Sequence, residues 1–143
     1  MSADLIKNLV ARRFKKEGKA VFFELGLCRR GRYRADVFAL AMNGHITVVE
    51  VKASVQDAIR DRKMHEYLRF SNKFYLACTE SVFDQIEVKL YGAGVFVIAD
   101  DYSGIVKVKP AKNRDIKKEA TFNLAVRAAF RNSDLCDRKN KKV

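Results

Sequence analysis

An Asn-Gly pair, Asn43-Gly44, lies between two short apolar runs, Arg34-Ala35-Asp36-Val37-Phe38-Ala39-Leu40 and Thr47-Val48-Val49-Glu50-Val51-Lys52. Asn-Gly between such runs is a strong hairpin signal, so the two runs pair as antiparallel strands. Each also carries a carboxylate, and a carboxylate in an apolar strand is costly unless positive charge sits against it. Register decides whether the two acids meet. A two-residue loop sets Met42 opposite His45 and turns Asp36 to the side away from Glu50. A three-residue loop, Met42-Asn43-Gly44 with the glycine left-handed, sets Ala41 opposite His45 and Asp36 opposite Glu50. We take the second register, in which both carboxyls share a face. Glu50 and Lys52, two apart on one strand, point the same way.

That face has a chemistry. Asp36 and Glu50, with the backbone carbonyl of Val51, make an oxygen ligand set for a hard cation, Mg²⁺ with Mn²⁺ as substitute. The cation would lower the pKa of a water and offset charge building on a phosphate. Lys52 would hold the attacking water or stabilise the transition state. Glu-x-Lys alone is a weak signal, because a salt-bridged surface strand has the same spacing; Asp36 at the matching position strengthens it. Glu24, inside Phe22-Phe23-Glu24-Leu25, either completes the metal site from the neighbouring strand or pairs with an arginine such as Arg34.

Composition narrows the partner. The 143 residues suffice for one domain, and 48% hydrophobic content makes it globular. The formal net charge of +12 favours a polyanion, nucleic acid above all. No apolar run approaches the ~18 residues that span a bilayer, so no membrane partner is expected. The opening Met1-Ser2-Ala3-Asp4 lacks the layout of a secretory signal, and Cys28, Cys78 and Cys136 lack disulfide or zinc spacing. Both point to a cytoplasmic protein with reduced thiols.

Periodicity predicts a helix over Ala3 to Lys16 capped by Ser2, and a strand over Ala20 to Leu27 that is apolar on both faces, as a central strand would be. The hairpin follows. Ser54-Val55-Gln56-Asp57 has capping-box form and opens a helix to about Phe70. A strand from Lys73, a helix from Ser81, strands at 95–99 and 105–108, and a helix from about Ile116 to Arg131 complete the chain. The expected fold is α/β, a mixed sheet flanked by helices in αβββαβ order. Residues 1–131 form the single domain and 132–143 a basic flexible tail.

On the helix after Lys52, Gln56, Arg60, Lys63 and Tyr67 fall on one side. Arg60, Lys63 and Tyr67 would touch DNA phosphates near the metal, unless this is simply a solvated face. Arg29, Arg30, Arg32 and Arg34 precede the acidic hairpin and suit non-specific phosphate contacts, or form a solvated basic loop.

The run Glu24-x-x-Leu27, Arg32-x-Arg34-Ala35-Asp36, Glu50-Val51-Lys52-x-Ser54-x-x-Asp57, then Asp61-x-Lys63-x-x-x-Tyr67 resembles the MmcB-like DNA-repair proteins of the PD-(D/E)XK nuclease superfamily. The resemblance covers about Phe22 to Ala99. No Pro precedes Asp36, and Met64 stands where that family usually has an aromatic residue. The resemblance implies a restriction-endonuclease-like core with Asp36, Glu50 and Lys52 catalytic and Glu24, Lys63 and Tyr67 supporting. The expected function is a Mg²⁺-dependent DNA endonuclease in repair, recombination or mobile-element processing. It would pair as a homodimer if both strands are cut. The rival readings are a non-catalytic DNA-binding module on the same fold and an RNA-directed nuclease.

Overall fold

The computed structural model describes residues 2–28, 33–60, 64–86 and 92–131. Six strands form one mixed sheet in sequence order: β1 (Ala20–Gly26), β2 (Arg34–Leu40), β3 (Ile46–Val51), β4 (Lys73–Thr79), β5 (Gly94–Ile98) and β6 (Ile105–Lys109). β1 to β3 run as an antiparallel meander, β3 to β5 are parallel, and β6 returns antiparallel to β5. The helices are α1 (Ser2–Lys16), α2 (Val55–Arg60), α3 (Met64–Tyr67), which continues into a 3-10 turn at Leu68–Phe70, α4 (Glu80–Gln85) and α5 (Lys118–Arg131). This is the expected α/β architecture, with a restriction-endonuclease-like core.

Alternation along the strands supplies two cores. Ile6, Val10 and Phe14, one stripe of α1, pack on Val37, Ala39, Val49, Tyr75 and Phe96. The other face places Phe38, Ile46, Val48, Phe74 and Leu76 against Leu124 and Ala128 of α5 and against Tyr67. β3 is buried along its whole length, so its side chains are fixed from both sides.

Two expectations need correction. β1 is an edge strand, not a central one. Its apolar faces are explained by helix cover, since both α1 and α5 pack on it. Ser2 lies inside α1 instead of capping it. The helix expected from Ser54 to Phe70 is described as α2 and α3 on either side of residues 61–63, ending in the 3-10 turn. Its cap is as read: Ser54 Oγ accepts from the Asp57 N–H at 3.0 Å, and Asp57 Oδ2 accepts from the Ala53 N–H at 3.2 Å. The tail expected at 132–143 lies outside the described residues.

Gly94 sits at a close approach between strands. A Cβ there would stand 2.5 Å from the Lys109 carbonyl oxygen and 2.5 Å from the Tyr75 ring. Backbone on one side and a packed ring on the other leave nowhere to move. Gly94→Ala should destabilise the fold by about 2 kcal/mol, read as a lower urea midpoint at unchanged slope. A change within error would show that the β5–β6 pairing relaxes freely.

Candidate functional site

The hairpin adopts the three-residue loop. The Ala41 N–H donates to the His45 carbonyl and the Gly44 N–H to the Ala41 carbonyl, both at 2.9 Å. Gly44 has φ +89°, the left-handed conformation that favours glycine. Phe38 faces Val48 and Val37 faces Val49, so the next step sets Asp36 against Glu50.

At that step the sheet opens. Pairing between β2 and β3 runs no further than Val37–Val49, and pairing between β1 and β2 skips Glu24–Asp36 before resuming at Leu25–Ala35. Glu24 has φ +54°, an uncommon conformation for a non-glycine residue. Arg131, at the end of α5, donates to the Glu24 carbonyl at 2.9 Å and the Phe23 carbonyl at 2.7 Å. Ladder alternation would send the Asp36 N–H toward that Glu24 carbonyl. It donates instead to Glu50 Oε2 at 2.9 Å, while the Val51 N–H donates to Asp36 Oδ2 at 2.7 Å. Two carboxylates thus replace ladder bonds and interlock across the gap.

The electrostatics are unbalanced. Glu50 is 7% exposed. Burial, then the Asp36 charge, push its pKa up to about 8, against the Asp36 N–H, the Lys52 charge and the Tyr67 hydroxyl. Asp36 is raised too, by burial first and with a contribution from Glu24, against the Val51 N–H. Burial first, and the two acids' mutual repulsion second, make Glu50 keep its proton at neutral pH. Lys52 is placed by β3 and by its N–H donating to the Ala77 carbonyl at 2.9 Å, and its charge acts on Glu50.

Tyr67 sits differently from expectation, and Glu24 takes one of its two expected placements. Tyr67 is buried, stacked on Phe74 with centroids 5.6 Å apart and edge-on to Tyr33. Its hydroxyl serves Glu50, so it positions a carboxylate and offers no surface to a phosphate. Glu24 is paired with Arg34, Nε to Oε1 at 3.3 Å, and with Lys7. It stays close enough to Asp36 to hydrogen-bond its carboxyl. Among the described residues, no three His, Cys, Asp or Glu side chains group as a metal cage; Asp36 and Glu50 are two, with Val51 offering a carbonyl. Arg34 is exposed at the rim. Arg29, Arg30, Arg32 and Lys63 lie outside the described residues, as does the side chain of Arg60.

Lys7 is the residue that sequence reasoning missed. It reaches from α1 to Glu24 and acts on Asp36. Burial opposes its charge, yet Glu24 keeps its pKa raised. In the sequence it differs in no visible way from Lys15 or Lys16, which also lie off the apolar stripe.

The mixed sheet, open where two acids and a lysine gather, defines an α/β protein of restriction-endonuclease-like core. The chain belongs to the MmcB-like DNA repair protein family, whose model matches residues 2–139. That membership gives it a role in DNA repair and DNA as a partner. A solved protein of unknown function from Silicibacter pomeroyi has the same fold, with a TM-score of 0.77 at 24% identity over 99% of this chain and 94% of that one. No curated protein matches the chain. No helix among the described residues is long and apolar enough to cross a membrane.

Proposed function

We propose that the chain is a metal-dependent endonuclease of the PD-(D/E)XK type that hydrolyses phosphodiester bonds in DNA during repair, recombination or mobile-element processing. The carrying observation is the interlocked pair Asp36 and Glu50, set in the opened ladder with Lys52 two residues on. A buried acid pair in which one member retains its proton can exchange that proton for a cation, and its oxygens suit Mg²⁺ or Mn²⁺. Asp36, Glu50 and the Val51 carbonyl would hold the ion; Glu24 would join only by leaving Lys7 and Arg34. Once bound, the cation supplies Lewis acidity toward water and phosphate.

The chain's own groups do the remainder. Tyr67 holds Glu50 in place through its hydroxyl, and the Val51 N–H holds Asp36. Lys52 carries the positive charge that orients the nucleophile or stabilises the transition state. Arg34, with Arg29, Arg30, Arg32, Arg60 and Lys63, would neutralise phosphates along the duplex without reading sequence. Assignment to a DNA repair family favours DNA over RNA. The reading extends to a cytoplasmic protein that pairs with a second copy when both strands are cut.

A non-catalytic DNA-binding module is the second reading, and Glu24 favours it: two cations already engage that carboxylate. Supercoiled, linear, branched and single-stranded DNA, incubated with Mg²⁺, Mn²⁺ or EDTA, separate the two. Cleavage that requires metal and is lost in Lys52→Ala is the expected result. Salt-sensitive binding with no cleavage of any substrate would establish the module instead.

A further inference from the structure

On the α5 face, a groove of about 620 Å³ runs between the 3-10 turn and the segment leading into α5. Leu68, Phe70 and Ile116 line it with apolar surface, and Arg69, Arg114 and Lys117 bring positive charge to it; Asp115 is the one carboxylate among the lining residues. We infer that this groove takes an unpaired segment of DNA, so that the preferred substrate contains a single-stranded stretch. The inference rests on the DNA-directed reading above and names its substrate class, but it does not depend on cleavage.

Contact with a duplex backbone needs cations and no apolar surface, because phosphates are what a duplex presents. An apolar and aromatic floor adds binding only where a base has left its stack, and a cationic groove with such a floor suits a single strand. Arg69 is built for this use. Its guanidinium lies 4.9 Å from the Phe70 ring centroid and 5.8 Å from that of Tyr33. Glu66 Oε1 stands 3.6 Å from its Nη2. Held by two rings and a carboxylate, it remains 62% exposed, a planar cation on which a base can stack. The volume is in the range that holds a small organic ligand, roughly 300–1,000 Å³.

The groove opens toward the Ile46 end of β3: the Arg114 N–H donates to the Asn72 carbonyl, and Asn72 Oδ1 accepts from the Ile46 N–H. Tyr67 bonds Glu50, and the next residue, Leu68, lines the groove. Charge complementarity selects DNA among occupants, since three cations face one carboxylate and the chain as a whole is strongly basic.

The test uses the full chain in EDTA and reads fluorescence anisotropy of a labelled oligothymidylate and of a blunt duplex. Lys117→Glu reverses an exposed charge, and Arg69→Lys keeps the charge but removes the plane; equal melting temperatures confirm that both variants fold. Each should weaken oligothymidylate binding about tenfold and duplex binding by no more than about twofold. Equal losses on both DNAs would reduce the groove to a phosphate patch and overturn the inference, as would no loss on either. Wild type that binds duplex but not oligothymidylate would overturn it alone. Wild type that binds neither DNA would overturn the DNA-directed reading with it.

Discussion

Glu50→Gln should make the metal-free protein more stable at pH 8, by on the order of 2 kcal/mol. The folded protein holds Glu50 at a pKa of about 8, against 4.5 for an ordinary glutamate. Below pH 4.5 the acid is protonated whether the chain is folded or not, and burial carries no ionic penalty. Between 4.5 and 8 the unfolded chain releases a proton that the folded chain retains. The folded state then binds more protons, so stability falls as pH rises across that window and levels off above it. Asp36, also raised by burial, adds a slope of the same sign. Glutamine removes the Glu50 share of the slope while its amide oxygen still accepts from the Asp36 N–H and the Tyr67 hydroxyl. Thermal melts in EDTA should show the variant melting roughly 5 °C higher at pH 8 and level with wild type near pH 4.5. A variant no more stable than wild type at pH 8 would mean that the acid pair is not electrostatically crowded. The case for a missing cation would then go with it. A residue whose removal strengthens the fold is retained for something other than folding.

Most of this geometry was legible in the sequence because it is local. Asn43-Gly44 marks the hairpin and admits two loop lengths, the placing of both acids on one face favours the three-residue form, and the strand period then carries Asp36 to Glu50. The mixed sheet follows in the same way from a hairpin and then a helix between strands. What escaped depends on contacts far apart in the chain. Nothing near Glu24 marks it for a positive φ; the conformation is matched to Arg131, 107 residues on, which takes its carbonyl. Lys7 joins the site because α1 packs across β1 and β2, and a lysine on an amphipathic helix looks the same whether or not a carboxylate waits beneath it. Helical spacing aligns Tyr67 with Arg60 and Lys63. Spacing reports which residues share a side and leaves open which side is buried. A phenol can satisfy both demands, with its ring in the core and its hydroxyl on a carboxylate. Two apolar faces on β1 suggest a central strand, whereas helices on both faces of an edge strand produce the same pattern.

Asp36→Asn should keep the fold and lower Mn²⁺ affinity at least a hundredfold, to the point of no measurable binding. Asparagine is close to aspartate in shape, and its side-chain oxygen can still accept from the Val51 N–H, which Asp36 Oδ2 receives at 2.7 Å. The interlock with Glu50 survives, because the other half of it is the backbone N–H of residue 36. What is lost is one of two anionic oxygen donors, and hard divalent cations depend on such donors. Calorimetry of wild type should also detect the proton that Glu50 carries. With a pKa near 8, Glu50 is mostly protonated at pH 6.5, and a ligand must shed that proton before it binds a cation. Titrations in buffers of different ionisation enthalpy should therefore report about one proton released per ion at pH 6.5, and affinity should climb with pH until about 8. In Glu50→Gln the proton release should vanish with the binding. Unchanged Mn²⁺ affinity in Asp36→Asn would remove Asp36 from the ligand set and leave the opened ladder without a chemical purpose. Binding that persists in wild type without proton release would show that the ion sits away from Glu50, on some other oxygen group of the surface.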